Sequence, residues 1–198
     1  MTPHHREEFA RETEDPMPRL PNMTDRDDTP EALHEAFDQV AALRNGTVSG
    51  PYGILLHSPE LAITGAALGN YVRWRSDLTA AQRETAILTA ARHFNAAVMW
   101  AGHVRLGREA GVREDVIDTI AQRGDLTALT DEEADIVRFV GELFADNRVS
   151  DDAFAALHAC LGDQGIVDVT GLVGYYAFVG TTLNTFQLEP PAGSPQLP

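Results

Sequence analysis

The chain has 198 residues, 43% of them hydrophobic, and a formal net charge of −15, which suits one folded domain with a real core. This acidic balance argues against nucleic acid and anionic membrane surfaces as partners, because both favour Lys and Arg. The single cysteine, Cys160, excludes an intrachain disulfide and a cysteine-rich metal site. The N-terminal segment MTPHHREEFARETED is acidic and lacks an apolar stretch, which disfavours a secretory signal, and the longest nearly apolar run, 169–183, is too short for a membrane span. We therefore expect a soluble, cytoplasmic protein.

The distribution of proline divides the chain into an arm, a body and a tail. Residues 1–28 hold eight acidic residues, four basic residues and four of the eleven prolines, and they are predicted to form a flexible acidic arm. The body, 29–189, contains only Pro30, Pro51 and Pro59, each of which can precede or begin a helix. We expect the body to be a single all-helical domain and 190–198 to be a frayed tail.

Start and stop signals locate the helices of the body in chain order. Pro30 and Pro59 begin the first two, and a turn-rich loop, RNGTVSGPYG (44–53), lies between them. Capping boxes at 79–82 and 130–133 begin two more. Gly111, Gly124 and Ser150 supply further ends and starts. The predicted helices span roughly 30–43, 59–74, 80–93, 96–110, 113–122, 131–145, 150–160 and 163–186.

The last predicted helix is apolar or small on every side from Ile166 to Leu188. A helix of this kind lies at the centre of its domain or in a subunit interface. Because a domain of this size has little room to surround one helix completely, the pattern favours a homo-oligomer.

Glu84 and His103 stand on the apolar stripes of two consecutive predicted helices joined near 94–95. Core-facing polar groups are costly unless they find a partner, so the two are expected to pair. One interpretation is a structural hydrogen bond between the helices. The other is acid–base chemistry, since burial raises the pKa of a carboxyl group while a nearby carboxylate favours a charged imidazole.

The segment ETAILTAARHFNAAVMWAGHVRLGREAGV (84–112) resembles the core of the carboxymuconolactone decarboxylase family, which includes alkylhydroperoxidase D. The resemblance extends through HSPELA (57–62), LTDEEADIVRFVGEL and GLVGYYAFVGTTLN, over roughly 30–188. It implies an all-α bundle of the alkylhydroperoxidase D-like type that assembles as a homotrimer or homohexamer. The alkylhydroperoxidase branch carries Glu-x11-Cys-x2-Cys-x3-His. Here Glu84 and His103 occupy the outer positions, and Ala96 and Met99 replace the cysteines.

The missing cysteines disfavour peroxidase activity, because thiol peroxidase chemistry needs an attacking thiolate and a resolving thiol. Cys160 lies far away in sequence and is expected to be a buried small residue. The remaining resemblance is to the decarboxylase side, which acts without metal or organic cofactor. It implies a cofactor-independent lyase or isomerase for a small carboxylate or lactone, with His103 as the proton donor and Glu84 orienting it.

Further residues are candidates for substrate binding. Trp100, Met99 and Ala96 are predicted to wall the pocket beside His103. Tyr52 and His57 could reach it from the loop before the second helix. Among the arginines, Arg92 is the main candidate for a substrate carboxylate, with Arg73, Arg75 and Arg105 as alternatives. The sequence predicts no metal site, since no pair of histidines has the spacing of a helical metal site.

Two alternatives remain at this level. One is a non-catalytic, oligomeric binding protein that keeps the Glu–His pair for packing. The other, less favoured, is antioxidant activity of the alkylhydroperoxidase or peroxiredoxin type.

Overall fold

The computed structural model describes residues 18–198, and all regular secondary structure in this range is helical. The expected all-α fold is therefore confirmed. A short 3-10 turn, Glu31–Leu33, leads into the first helix, and a second one spans Leu126–Ala128. The helices are α1 (His34–Leu43), α2 (Tyr52–Leu55), α3 (Pro59–Trp74), α4 (Ala80–His93), α5 (Ala97–Glu109), α6 (Glu114–Gln122), α7 (Asp131–Asp146) and α8 (Asp151–Thr185).

The two predicted capping boxes are present at the starts of α4 and α7. The hydroxyl of Thr79 accepts a hydrogen bond from the backbone N–H of Gln82, whose side chain accepts one from the N–H of Thr79 in return. Thr130 and Glu133 make the same exchange. These contacts satisfy backbone donors that a helix start otherwise leaves without partners, which is why the sequence located both starts correctly.

One element differs from the sequence prediction. The short helix α2 begins within the segment 44–53 that was expected to be a loop, and all four of its residues are buried. The two predicted C-terminal helices are both present within α8, which breaks at Gly162, where φ is 67° and ψ is −175°. Local turn signals do not reveal α2, because it depends on burial against α3 rather than on its own caps.

The predicted arm and tail both contact the helical body where they are described. Residues 1–17 of the arm lie outside the described residues. In the remainder, Met23 is buried and Arg26 forms two hydrogen bonds with Asp38 of α1, at 2.7 and 3.0 Å. In the tail, Leu197 packs against the main core. Composition indicated free segments at these places, but apolar side chains attach them to the surface of the bundle.

The central helix is α4, which packs against α5, α6, α7 and α8. Eight consecutive residues of α4, from Glu84 to Ala91, are buried. The helix α8 is long and apolar enough to cross a membrane by length and composition alone. However, 61% of its most apolar stretch is buried inside the fold, as in a core helix of a bundle. A smaller apolar cluster joins α1, α2 and α3, and Phe178 of α8 packs against both clusters.

Candidate active site

Glu84 of α4 and His103 of α5 form a direct hydrogen bond in the interior. The distance from Nδ1 of His103 to Oε2 of Glu84 is 2.6 Å, and the two residues are only 7% and 3% exposed. Asn95, with a left-handed φ of 47°, turns the chain between the two helices. The hairpin thus brings together two polar side chains that lie nineteen positions apart.

Burial disfavours the charged form of the His103 imidazole. Burial lowers the pKa of His103, and this effect exceeds the opposing influence of Glu84. The sequence had indicated that Glu84 would favour the charged ring, so the cost of burial is the part that sequence reasoning underestimated. In the neutral ring the hydrogen bond to Glu84 assigns the proton to Nδ1. The lone pair of Nε2 has no hydrogen-bond partner within residues 18–198.

His103 lines a cavity of about 470 Å³ between α5, α8 and the start of α2, a volume typical of small-molecule sites. Met99 and Tyr52, both predicted for the site, lie in its wall. The tail residues Pro191, Ser194 and Pro195 close one side, although the sequence indicated that this segment would be frayed.

Three tyrosines give the cavity a polar side. The hydroxyl groups of Tyr52 and Tyr175 are hydrogen-bonded at 2.8 Å. The ring of Tyr176 stands edge-on to the ring of His103, with 5.1 Å between centroids. Burial raises the pKa of Tyr176, so its phenol keeps its proton. Because that hydroxyl makes no hydrogen bond with the described residues, it is available as a donor to a ligand.

Three arginines, Arg44, Arg73 and Arg105, line the same cavity, and none of the described residues in its wall is acidic. Arg105 is paired with Glu109 at 2.6 Å. Arg73 was one of the alternatives named from sequence, whereas Arg44 was missed. No sequence signal singled it out, because Arg44 follows the last turn of α1 and begins a segment that resembles a surface loop.

Four residues predicted to bind substrate lie outside the cavity. Trp100 and Ala96 are buried in the main core instead. The exposed His57 contacts the carbonyl oxygen of Pro21 at 3.0 Å. Arg92 donates to the carbonyl oxygen of Ala121 and to Asn95, both at 2.6 Å, and borders a separate cavity of about 290 Å³. The contacts of His57 with Pro21 and of Arg92 with Ala121 join segments that are distant in sequence, so helix periodicity did not reveal them.

Cys160 lies on the first part of α8 and is exposed, so the expectation of a buried residue was wrong. Its thiol donates a hydrogen bond to Glu132 at 3.2 Å. Partial burial and this carboxylate raise its pKa, which disfavours the thiolate needed for attack on a peroxide. It does not line the cavity of His103.

Comparison with known proteins places this geometry in context. The model of the carboxymuconolactone decarboxylase family matches residues 59–142, a segment that includes both Glu84 and His103. No curated protein matches the chain in sequence.

Three solved structures share the fold. A protein of unknown function from Agrobacterium tumefaciens, a proposed antioxidant defence protein AhpD, is 25% identical over 70% of this chain and 96% of its own, with a TM-score of 0.63. The alkylhydroperoxidase AhpD core of an uncharacterized peroxidase-related protein from Ralstonia eutropha JMP134 is 17% identical over 90% of this chain and 95% of its own, with a TM-score of 0.71. The debrominase Bmp8 in its apo form is 12% identical over 86% of this chain and 92% of its own, with a TM-score of 0.64.

At 17% and 12% identity, the last two structures show a shared fold alone. The activities in their names, alkylhydroperoxidase and debrominase, differ from each other. The family match and the shared AhpD-like fold agree with the resemblance read from the sequence. The match over residues 59–142 confirms that this segment resembles the carboxymuconolactone decarboxylase family, with Ala96 and Met99 at the positions where the alkylhydroperoxidase branch has its paired cysteines.

Proposed function

We propose that this protein is a cofactor-independent lyase or isomerase that moves a proton on a small carboxylate or lactone. One observation carries the proposal: Glu84 holds Nδ1 of His103, while His103 lines a cavity and its Nε2 has no hydrogen-bond partner within residues 18–198. A base that is oriented on one nitrogen and open on the other is the arrangement that general acid–base catalysis needs.

In an isomerisation, the neutral ring starts as a base. Nε2 takes a proton from a carbon next to a carbonyl group, and the electrons of the C–H bond pass into an enolate. The carboxylate of Glu84 stabilises the imidazolium that forms, as the acidic member of a catalytic triad does. Nε2 then returns the proton to a different carbon of the substrate.

In a decarboxylation, the same atom acts as the acid. The bond to the departing carboxylate breaks, CO₂ leaves, and the electron pair enters an enolate. The imidazolium form of His103 then delivers its Nε2 proton to the carbon. An anionic substrate in the cavity favours this charged form, which burial alone opposes.

The test uses His103→Gln and Glu84→Gln, with His57→Gln as a matched control because His57 is exposed and outside the cavity. The measurements are CO₂ release from β-keto acids and exchange of substrate hydrogen with D₂O for a panel of acidic lactones. Loss of the acid–base group in His103→Gln should reduce turnover roughly 10²- to 10⁴-fold. The turnover of Glu84→Gln should lie between those of wild type and His103→Gln. The reason is that an amide oxygen still accepts the Nδ1 proton but does not balance the imidazolium charge.

The melting temperature and oligomer of each variant are measured in parallel. A catalytic role predicts lost turnover in a protein that remains folded. A wild-type protein without turnover or exchange on the whole panel, together with a destabilised His103→Gln, would instead support the non-catalytic binding protein.

A further inference from the structure

The cavity of His103 is positively charged although the chain is strongly acidic. The net charge is −15, but the described wall of the cavity holds Arg44, Arg73 and Arg105 and no carboxylate, and of these three Arg105 alone forms an ion pair within residues 18–198, with Glu109. Other arginines show the usual arrangement. Arg26, Arg108 and Arg113 are each paired with acidic side chains. A local excess of one charge in a concave site attracts a ligand of opposite charge.

Arg44 and Arg73 differ from the paired arginines in a specific way. In each, Nε is buried and has no hydrogen-bond partner, and neither guanidinium group forms an ion pair within residues 18–198. Buried donors without partners are rare, because they lose water without gaining a protein acceptor. The partly buried Arg92, by contrast, is satisfied by a carbonyl oxygen and an amide oxygen. The missing acceptors are therefore expected from a ligand.

Aromatic rings support both guanidinium groups. The Cζ atom of Arg44 lies 4.1 Å from the centroid of the Tyr52 ring, and that of Arg73 lies 5.2 Å from the Trp74 ring. Stacking of this kind restricts a guanidinium group and leaves its N–H edges available. Both cations therefore have a defined orientation without a carboxylate partner.

Arg44 and Arg73 act electrostatically on the polar side chains of the cavity. Burial raises the pKa of the Tyr176 phenol, and both Arg73 and Arg44 are near enough to oppose that effect. Arg73 also acts on the imidazole of His103. Arg44, Arg73, Tyr176 and His103 all line this one cavity, so an anion held there by the guanidinium groups shares the cavity with the unengaged hydroxyl of Tyr176 and with the proposed base.

We propose that Arg44, Arg73 and the hydroxyl of Tyr176 form a carboxylate-binding subsite that holds an anionic group of the substrate beside His103. Two planar N–H edges suit the two oxygens of one carboxylate. This inference rests on the proposed function only for the reaction that follows, since the binding itself needs no chemistry. It narrows the substrate class to keto acids or lactones that carry at least one carboxylate. Arg44 lies outside the segment 59–142 that matches the family model.

The experiment is a calorimetric titration of the full chain with levulinate, a small keto acid, in a buffer without carboxylates. Its methyl ester is the neutral probe. We expect wild-type protein to bind levulinate and to bind the ester at least about ten-fold more weakly, because charge-assisted hydrogen bonds are lost. Arg44→Gln and Arg73→Gln should each weaken levulinate binding by roughly ten-fold or more. Arg75→Gln is the matched control, because Arg75 is exposed and does not line the cavity.

Three further variants separate the possible outcomes. His103→Gln should retain levulinate binding, so a failure of catalysis would not count against the subsite. Arg44→Lys and Arg73→Lys keep the charge and should bind more tightly than the glutamine variants, which separates ligand binding from a folding defect. The subsite is refuted if wild-type protein binds acid and ester equally, or if Arg44→Gln and Arg73→Gln bind levulinate as tightly as Arg75→Gln does.

Discussion

At the scale of single residues, His103 makes stability depend on pH in a predictable direction. Burial lowers its pKa below the ordinary value of 6.5, so between the two values the unfolded chain binds a proton that the folded chain does not. The contribution of the neutral imidazole to stability is therefore complete above pH 6.5 and is lost as the pH falls through the folded-state pKa.

We expect the free energy of unfolding of the wild-type protein to fall more steeply below pH 6.5 than that of His103→Gln. The limiting difference in slope is about 1.4 kcal/mol per pH unit, corresponding to one proton. Urea unfolding at a series of pH values measures it, with His57→Gln as the control for an exposed imidazole. Parallel curves for wild type and His103→Gln would contradict the buried neutral ring.

The contact between Glu84 and His103 was predictable from their positions on two apolar stripes, because each stripe faces the core and a core carboxylate needs a partner. The surroundings of Arg44, Arg73 and Arg92 could not be predicted in this way. An arginine side chain is long enough to reach a cavity, a carbonyl oxygen or water, and tertiary contacts decide among these. Arg92 shows this, since its acceptor belongs to Ala121 at the end of α6.

At the scale of elements, the crossing of α3 and α8 depends on a glycine. A Cβ atom at Gly69 would lie 2.5 Å from the hydroxyl oxygen of Tyr175, the same oxygen that is hydrogen-bonded to Tyr52. Only glycine allows this close approach, and it keeps Tyr175 in the wall of the cavity.

Gly69→Ala is expected to displace Tyr175, break its bond to Tyr52 and lower the free energy of unfolding by roughly 1–3 kcal/mol through overpacking. The matched control is Gly141→Ala in α7, where a Cβ atom would meet nothing within 4 Å. There the gain in helix propensity predicts stabilisation of about 0.5–1 kcal/mol. Urea unfolding measures both, and equal effects at the two positions would show that the crossing tolerates a methyl group.

Helix boundaries set by local chemistry could be predicted from the sequence, and boundaries set by tertiary contacts could not. Thr79, Thr130 and Pro59 begin helices with their own side chains or fixed φ angles, so the sequence located these starts. The short helix α2 and the attached tail depend on surfaces supplied by distant segments, and neither carries a local signal.

At the scale of the whole molecule, α8 and α3 together present an apolar surface. Val167 is 68% exposed, and Leu68, Tyr71 and Trp74 of α3 are exposed large side chains. The hydroxyl of Tyr71 donates to Asp168 at 3.0 Å, which joins the two helices next to Val167. The apolar character of α8 favoured a homo-oligomer, and the family resemblance implied a homotrimer or homohexamer. We propose that subunits meet at this exposed surface.

The variant Val167→Glu tests that proposal, because a carboxylate at the centre of a subunit contact would lose its water without gaining a partner. We expect wild-type protein to have the mass of a trimer or hexamer by light scattering, and Val167→Glu to have a lower mass at equal concentration. Phe154→Glu is the matched control, since Phe154 is 46% exposed on the part of α8 before the break at Gly162. A monomeric wild-type protein, or an unchanged mass for Val167→Glu, would refute this interface. The cavity of His103 would keep its geometry in either case, because its described wall is formed within one chain.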